Sequence, residues 1–491
     1  MTNNNLSKYF KKFRDNIIGI DEVFESPYGT MPLIYTDWTA SGRLYEPIER
    51  KIAEDFGPFV ANTHTKTTIS GSLMTTAYEE ARNIIKKHVN TNENDILIMT
   101  GHGMTGAIQK FQRILGLKLH EKFKDKIQFD ETERPIVFVT HLEHHSNQTS
   151  WLETIADVEI IPYKDFKNIN WKKFEKLIQK YQSRKLKIAS VSACSNVTGL
   201  VPDYYRISSL IHQYNGYCFV DFACSAPYVK IDMHPTDKSQ HLDAIFFSPH
   251  KFLGGPGTSG VLIFNKKLYQ NKIPDHPGGG TVLWTTPWKT HRYLDDIERR
   301  EDGGTPGFLQ TIRTALAINL KDEMGVDNIL AREHEILDKL IPALNQIDGL
   351  NLLAGNFVER LGVLSFRIEG LPNELGVKIL NDRFGIQTRG GCSCAGTYGH
   401  ILLGIDKPTS DKIIKEIEAG DTSNKPGWMR LSIHPTTSDE EVAYIIKSIN
   451  ELVTNYNEWV KDYFFDKGEY VHKNYDKRSY LINNVRSWFD F

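Results

Sequence analysis

The sequence predicts an α/β fold, in which a mostly parallel sheet is covered by helices and is joined to a smaller α+β unit. Three observations support this. Short apolar runs rich in β-branched and aromatic residues recur between residues 96 and 265. Amphipathic helical patterns lie between several of these runs. From about residue 310 the order changes to two helices, two strands and a final helix.

The apolar runs have the length and residue types of strands that are buried on both faces. They are "ILIMT" at 96–100, "PIVFVTH" at 135–141, "KIASVSA" at 187–193, "YCFVDFA" at 217–223, "AIFFSPH" at 244–250 and "GVLIFN" at 260–265. The helical patterns between them are "TGAIQKFQRILGL", "WKKFEKLIQKYQ" and "YYRISSLIHQYN". Strands that alternate with helices in this way favour a parallel sheet.

The second half predicts a different arrangement. Helical stretches at 308–320 and 328–346 precede the strand-like runs "GVLSFRI" and "WMRLSIH". The last helix, "SDEEVAYIIKSINELVTNY", starts with a hydroxyl residue and three acids, which is typical of a capped helix N-terminus. Residues 466–491 are aromatic and charged without a clear period, and we expect an extension there that packs on the body.

Composition narrows the class of protein. The chain has 491 residues, 24% of them charged, with a formal net charge of −2, which argues against a nucleic-acid or membrane-surface partner. The start resembles no signal peptide, and no apolar run reaches the length of a membrane span. The five cysteines predict reduced thiols rather than a disulfide framework, so we expect a cytoplasmic protein.

The predicted strand ends carry the candidate chemistry, because ligands of such sheets bind at the carboxyl ends of the strands. After Phe247 come Ser248, His250 and Lys251, followed by a glycine-rich loop. The loop leads into another strand, not into a helix, so its glycine spacing does not indicate a dinucleotide site. Taken alone, the stretch is equally typical of a surface lysine beside a β-hairpin.

Two further strand ends carry acidic and basic groups. Asp221 follows the apolar run "YCFV", where a carboxylate needs a cationic or hydrogen-bonding partner, although it is also typical of a cap. His144 and His145 follow another strand, and their spacing fits neither common zinc-protease motif, so we expect no metal there.

Two segments carry groups suited to an anion or an amide contact. Met104 and Thr105 begin a predicted helix after a glycine-broken turn, and the free amides at such a helix start suit a phosphate. Asn196 follows a strand, where its amide suits either a ligand or a turn.

In this order along the chain, the motifs resemble those of the class V aminotransferase family of fold-type I pyridoxal phosphate enzymes. The likeness is greatest to the group of cysteine desulfurases, selenocysteine lyases and molybdenum cofactor sulfurases. It spans about residues 30–455. The matching motifs are "TGHGMTGAI", "EHHSN", "SNVTG", "VDFA", "SPHK", "PGGGT", "DGGTPG" and "RGGCSCAG".

The resemblance implies a fold and a domain organisation. The fold is that of the fold-type I transferases, with a mostly parallel seven-stranded sheet in a large domain and a smaller α+β domain. We expect four segments. They are an N-terminal segment that packs with the small domain (1–44), the large cofactor-binding domain (45–310), the small domain (311–465) and the C-terminal extension (466–491).

The resemblance also implies roles around pyridoxal 5'-phosphate. Lys251 holds the cofactor as a Schiff base and moves the proton at Cα of the substrate. Asp221 pairs with the pyridine nitrogen and keeps it protonated. His144 stacks on the ring, and Asn196 approaches the ring hydroxyl.

The phosphate contacts implied by the resemblance come from two chain segments and a second subunit. Met104, Thr105, Ser248 and His250 bind the phosphate within one chain. Thr305, in "DGGTPG", matches a threonine that reaches the cofactor phosphate of the partner subunit, which implies a homodimer.

The sequence departs from the family at two places. Cysteine desulfurases commonly carry glutamine three residues after the aspartate, where this chain has Cys224, a poorer hydrogen-bond donor. The anion loop contains Met104, Thr105 and Gly106, where the family often has two hydroxyl residues and an acid. These departures leave the substrate and the reaction less defined than the cofactor.

The stretch "RGGCSCAG" contains the candidate nucleophile. The resemblance aligns the reactive cysteine with Cys394 and leaves Cys392 as an extra thiol, and Arg389 is the clamp for the substrate carboxylate. A reactive thiol needs exposure and nearby positive charge, which the glycines and Arg389 supply. The alternatives are loop cysteines without a role and a zinc site, for which the spacing is too short and a second ligand pair is missing.

The sequence therefore predicts a homodimeric enzyme that removes sulfur from cysteine, or selenium from selenocysteine, through an enzyme persulfide and leaves alanine. A sulfur-acceptor protein is a possible partner of such an enzyme. The alternatives are an epimerase, a transaminase or another lyase of the same fold without a persulfide, and a cofactor-binding scaffold without turnover.

Overall fold

The computed structural model describes residues 6–124, 126–422, 425–475 and 477–490. The chain begins with one helix and three short strands: α1 (Leu6–Arg14), β1 (Val23–Ser26), β2 (Gly29–Pro32) and β3 (Ile34–Tyr35). Phe10 and Phe13 of α1 are buried in the core beside the large sheet, whereas Ile34 of β3 lies in the core of the C-terminal part. The N-terminal segment therefore contacts both parts of the molecule.

The middle of the chain alternates helices and strands. Its elements are α2 (Glu46–Lys51), α3 (Ile69–His88), β4 (Asp95–Thr100), α4 (Gly103–Ile114), α5 (Glu121–Lys124), β5 (Ile136–Val139), α6 (His145–Leu152), β6 (Asp157–Ile160), α7 (Trp171–Lys180), β7 (Lys187–Ser192), α8 (Tyr204–His212), β8 (Tyr217–Asp221), β9 (Ala244–Phe247), β10 (Gly260–Asn265), β11 (Val282–Thr285), β12 (His291–Tyr293) and α9 (Ile297–Arg300).

Seven of these strands form one sheet, in the order β4-β10-β9-β8-β7-β5-β6. The four pairings from β9 to β6 are parallel, and β10 runs antiparallel to both of its neighbours. The predicted mostly parallel seven-stranded sheet is confirmed. The sequence did not predict β6, because this edge strand is only partly buried and lacks a continuous apolar run.

Helices cover both faces of the sheet, as the apolar strand sequences predict. Alternate residues of β5 point into different cores: Phe138 packs with α7, and Val137 packs in the cluster that contains Phe111 of α4. All four residues of β5 are fully buried. Burying each such side chain contributes roughly 1.5–3 kcal/mol, so the double-sided burial fixes the position of the strand ends.

The C-terminal part has its own sheet and core. Its elements are α10 (Phe308–Met324), α11 (Val326–Asn345), β13 (Leu350–Leu352), β14 (Val363–Ile368), α12 (Asn373–Phe384), β15 (Ile386–Gln387), β16 (Arg389–Gly391), α13 (Gly396–Leu403), α14 (Lys407–Glu418), β17 (Trp428–Ser432) and α15 (Asp439–Trp459). The antiparallel sheet has the order β13-β14-β17-β16, and β15 pairs with β3. A reciprocal pair of hydrogen bonds between Ser438 and Glu441 caps α15, as expected.

The chain continues into a hairpin and a helix: β18 (Tyr463–Asp466), β19 (Glu469–His472) and α16 (Lys477–Ser487). Tyr463 is buried in the C-terminal core, whereas Leu481 and Trp488 are exposed. The division of the chain at 44/45, 310/311 and 465/466 stays a prediction. Among the described residues, no helix combines the length and the apolar character needed to cross a bilayer.

Candidate active site

A cavity of about 270 Å³ lies where β7, β8 and β9 end, and residues from the N-terminal segment and the C-terminal part complete its wall. It has the position that the topology of such sheets predicts. The structure brings together ten of the predicted site residues in its lining. They are Met104, Thr105, His144, Asn196, Asp221, Ser248, His250, Lys251, Arg389 and Cys394.

Lys251 lies on a single helical turn directly after β9. Two glycines allow neighbouring backbone to approach this turn: a Cβ atom on Gly42 would lie 1.9 Å from the Phe252 carbonyl oxygen, and one on Gly255 would lie 1.9 Å from that of Pro249. Lys251 Nζ forms no hydrogen bond or ion pair within the described ranges. Burial lowers the pKa of its ammonium group, which favours the neutral amine.

Asp221 is the last residue of β8 and is almost completely buried. Its Oδ1 accepts a hydrogen bond of 2.8 Å from the Ala223 backbone N–H. Burial raises the pKa of this carboxyl to about 7; Glu143 adds to the effect, and Lys251 opposes it. A buried acid of this kind is stabilised as a carboxylate only when a cation joins it.

Glu143, which the sequence did not predict as a site residue, holds the loop before α6. Its carboxylate accepts hydrogen bonds from the Thr140 and Ser192 side chains and from Asn147 Nδ2 at 2.6 Å. Burial raises its pKa despite these donors. The network ties the end of β5 to the end of β7 and so positions His144. An acid next to two histidines was the only sequence signal for it.

The adjacent histidines have different contacts. His144 Nδ1 accepts a hydrogen bond of 3.1 Å from the Ser146 N–H, so the proton of the neutral ring is on Nε2. Burial, aided by the charge of Lys251, lowers the pKa of His144 to about 3, and the ring is therefore neutral at physiological pH. His145 Nε2 accepts from the Gly396 N–H at 2.9 Å, and the His145 N–H donates to the Cys394 carbonyl at 2.8 Å.

The N-terminus of α4 faces the cavity with polar groups around it. The Met104 N–H donates to Ser248 Oγ at 2.8 Å, and Thr105 Oγ1 lies 2.6 Å from Ser146 Oγ. A Cβ atom on Gly103 would lie 2.8 Å from Ser248 Oγ, so only glycine leaves this corner open. Backbone amides at the start of a twelve-residue helix, together with two hydroxyls, form a cradle suited to a phosphate.

Two arginines share one carboxylate at the other side of the cavity. Arg389 Nη2 lies 2.8 Å from Asp37 Oδ2, and Arg430 Nη2 lies 2.7 Å from Asp37 Oδ1. Arg430 also donates to the Asn196 carbonyl at 3.1 Å and is nearly inaccessible, whereas half of the Arg389 side chain is exposed. The sequence did not predict Arg430 and Asp37 as site residues. An arginine inside the apolar strand "WMRLSIH" was the available signal.

The loop that carries the candidate nucleophile has an uncommon backbone. Ser393 and Cys394 have φ values of 50° and 57°, in the left-handed region that residues other than glycine rarely adopt. Asn196 Nδ2 donates to the Ser393 carbonyl at 2.7 Å, and Trp428 Nε1 donates to Ser393 Oγ at 3.1 Å. These bonds hold Cys394 exposed at the cavity, while Cys392 packs against the cluster around Trp428.

A second thiol pair lies deeper in the cavity. Cys224 Sγ is 3.9 Å from Cys194 Sγ, and both side chains are buried. Burial raises the pKa of Cys194, so the pair retains at least one proton. All five cysteines of the chain are free thiols in the structure, as expected.

Thr305 is the predicted site residue that lies outside the cavity. It is exposed in the loop before α10. Its predicted contact joins two subunits, so the geometry of one chain does not test it, and it stays a prediction.

The fold and this cavity define the class of protein. The family model of the class-V aminotransferases matches residues 34–445, and the chain belongs to this family. The family implies pyridoxal phosphate as the cofactor.

The relatives that the chain resembles in sequence and in fold are cysteine desulfurases. The chain is 27% identical over 383 residues to a probable cysteine desulfurase of Halalkalibacterium halodurans. The match covers 76% of this chain and 86% of the relative. The fold is similar to that of a cysteine desulfurase from Thermococcus onnurineus, with a TM-score of 0.72 and 23% identity over 90% of this chain and 98% of the other. A cysteine desulfurase from Escherichia coli gives a TM-score of 0.68 and 19% identity. The match covers 91% of this chain and 98% of the other.

Proposed function

We propose that the protein is a pyridoxal phosphate-dependent cysteine desulfurase, which takes the sulfur of free cysteine and leaves alanine. The observation that carries the proposal is the position of Cys394, an exposed thiol at the edge of the cavity that also contains Lys251 and Asp221. The description of the relatives as cysteine desulfurases supports the same substrate.

The residues present fit the cofactor. Lys251 offers an amine without a partner among the described residues, and buried Asp221 lacks the cation that a protonated ring nitrogen would supply. The neutral imidazole of His144 suits stacking on the ring. Asn196 Oδ1 is buried without a hydrogen-bond partner, which leaves it available to a ring hydroxyl.

The phosphate would bind at the N-terminus of α4. Met104 and Thr105 offer backbone amides there, and Ser248 and Thr105 offer hydroxyls. Burial lowers the pKa of His250 to about 4, so this side chain acts as a neutral hydrogen-bonding group. We propose that Thr305 of a second copy completes the phosphate site in a homodimer.

In the proposed reaction the bound cofactor supplies an electron sink for the bond that breaks at Cα. Lys251 accepts the Cα proton, and the burial that lowers the pKa of its ammonium group favours the neutral amine that this step needs. Arg389 receives the substrate carboxylate, and Arg430 is placed beside it to share that charge. Because Asp37 neutralises both arginines, the substrate must compete with Asp37 for them.

Cys394 performs the sulfur transfer. Its thiolate attacks the substrate sulfur, an S–S bond forms, and the bond between that sulfur and Cβ breaks with its electron pair left on the carbon side. Proton addition at Cβ and return of the proton from Lys251 to Cα then yield alanine, and Cys394 carries a persulfide. Covalent catalysis of this kind divides one difficult step into two. A thiol acceptor, either a small molecule or a partner protein, removes the sulfur.

The proposed organisation of the chain follows from the same assignment. Residues 45–310 form the cofactor-binding domain, and residues 311–465 form a smaller domain that carries Arg389 and Cys394 to the cavity. The N-terminal segment (1–44) packs with the small domain through β3 and with the large domain through α1, and residues 466–491 form the extension. We propose a cytoplasmic location, where thiols stay reduced.

The decisive experiment gives the purified protein cysteine and measures alanine and sulfide. We expect Cys394→Ser to lose at least 100-fold of the sulfide release while it keeps the absorption of the bound cofactor, since the nucleophile alone is removed. Cys392→Ser is the matched control, because this thiol packs away from the cavity, and we expect it to retain most of the activity.

Mass spectrometry after a short exposure to cysteine locates the sulfur. We expect a mass increase of one sulfur on the peptide, lost in Cys394→Ser. Added sulfur that persists on Cys392 in that variant would reverse the assignment within the pair. No added sulfur, with normal turnover of both variants, would replace the proposal with an epimerase or a transaminase.

A further inference from the structure

A cluster of potential metal ligands lies at the end of β9 that is opposite to Lys251. In the part of the chain that the structure describes, His212, His241 and Asp243 bring their ligand atoms within 4.8 Å of one another. His212 Nε2 lies 2.8 Å from Asp243 Oδ2, and His241 Nε2 lies 3.4 Å from Asp243 Oδ1. Asp243 is fully buried directly before β9, and the two imidazole side chains are partly exposed.

The backbone fixes which ring nitrogen carries the proton in each neutral imidazole. His212 Nδ1 lies 2.8 Å from the Ser239 carbonyl oxygen, and His241 Nδ1 lies 2.9 Å from that of Lys238. Since a carbonyl only accepts, each Nδ1 donates its N–H. The protonated His212 ring then donates a second N–H from Nε2 to Asp243, and each Nε2 presents a lone pair toward Asp243 once its proton is lost. Metal-binding histidines are oriented by such a second hydrogen bond.

Without a metal ion, protons would bind to the Nε2 atoms of the two histidines. The imidazole rings are stacked, with centroids 4.0 Å apart and planes 14° apart, so two protonated rings would repel each other. A single divalent ion replaces both Nε2 protons and neutralises the carboxylate at once. Asp243 Oδ2 is already oriented by the Cys218 N–H at 2.9 Å, which holds the carboxylate toward the histidines.

We propose that His212, His241 and Asp243 bind one divalent transition-metal ion of the Zn²⁺ type. Two nitrogens and one carboxylate are a ligand set that zinc accepts, with bonds of about 2.0–2.2 Å and water at the remaining position. The site is separate from the cofactor cavity, so the ion stabilises the α8–β9 junction and takes no part in the proposed desulfurase reaction.

Lys267 competes with a metal ion for the Asp243 carboxylate. Its Nζ lies 2.8 Å from Asp243 Oδ1, although Oδ1 forms no hydrogen bond of good geometry within the described ranges. Nearly half of the Lys267 side chain is exposed, so it can turn toward solvent when an ion binds. Removal of this charge therefore strengthens metal binding, whereas removal of a histidine weakens it.

The test uses the cofactor-loaded enzyme, stripped with a chelator and dialysed against Zn²⁺. Bound metal is counted by elemental analysis, and the denaturation midpoint is measured with and without Zn²⁺. We expect His241→Gln to bind one equivalent fewer than the wild type, or to bind it about 10–100-fold more weakly. Lys267→Met binds the same equivalent more tightly. Both variants keep cofactor absorption and turnover, which shows that they are folded.

The control is His234→Gln. This histidine also pairs with a buried aspartate, since His234 Nε2 lies 2.6 Å from Asp95 Oδ2, but among the described residues no second histidine joins the pair in a ligand cluster. We expect it to bind as many equivalents as the wild type. Zinc bound at the active-site thiol is common to all variants and cancels in the comparison. Equal stoichiometry and affinity in the wild type, His241→Gln and Lys267→Met would overturn the proposal.

Discussion

Substitution of Asp221 by asparagine separates the stability of the cavity from its function. Asp221 is 5% exposed, and burial raises the pKa of its carboxyl from near 4 to about 7 in the protein without cofactor. Asparagine has almost the same shape and its Oδ1 still accepts from the Ala223 N–H. It cannot ionise. We therefore expect Asp221→Asn to make the cofactor-free protein more stable at alkaline pH and to bind the cofactor poorly.

The magnitude follows from the difference in proton binding between the folded and unfolded states. Between pH 4 and pH 7 the folded protein keeps the Asp221 proton that the unfolded chain has lost, so the free energy of unfolding falls as the pH rises. A shift of about three pKa units corresponds to about 4 kcal/mol, of which about 3 kcal/mol develops between pH 5 and pH 8. Asp221→Asn does not show this decrease in the free energy of unfolding, because asparagine does not ionise.

The assay is denaturant unfolding of cofactor-free wild type and Asp221→Asn at pH 5 and pH 8. We expect the variant to gain about 3 kcal/mol relative to the wild type between the two pH values. Addition of cofactor at pH 8 should stabilise the wild type and leave the variant nearly unchanged. A stability difference that is equal at pH 5 and pH 8 would refute the reasoning, because it would mean that Asp221 titrates normally in the folded protein.

Three further predictions concern attachment, positioning and assembly. Lys251→Ala should lose the visible absorption of the attached cofactor and nearly all turnover, and an unchanged spectrum would remove the basis of the proposed function. His145→Ala removes the acceptor of the Gly396 N–H. Sulfide release should fall about tenfold with the cofactor spectrum unchanged, as expected for one lost hydrogen bond. Full activity would show that the Cys394 loop does not need this hydrogen bond. Thr305→Ala should release cofactor faster during dialysis of a dimeric protein, and a monomer that retains the cofactor fully would contradict the cross-subunit contact.

The sequence predicted the large sheet well because its strands are apolar on both faces. The run at 136–139 is completely buried, and no helix-forming pattern competes with it. The edge strand at 157–160 was missed because half-exposed residues such as Asp157 and Glu159 carry no apolar pattern. The pairing of 386–387 with Ile34–Tyr35 was likewise not predictable, since it joins two short segments that are distant in the chain.

Site residues could be predicted where a sequence motif lies at the end of a strand. They could not be predicted where the residue reaches the site through contacts between distant parts of the chain. Lys251 and Asp221 follow strands that themselves were recognised, so their convergence followed from the topology. Asp37 and Arg430 meet only after the N-terminal segment has paired with the C-terminal sheet. The buried network of Glu143 depends on its spatial neighbours, which a linear sequence does not reveal.

The close backbone contacts around the lysine turn also restrict how this enzyme can diversify. Any residue larger than glycine at position 42 or 255 would press into a carbonyl group and displace Lys251. Directed evolution of a new substrate range should therefore leave Gly42 and Gly255 unaltered among the survivors, as it should leave Arg389 and Cys394, which the proposed reaction requires. Tolerated mutations should collect elsewhere on the cavity wall.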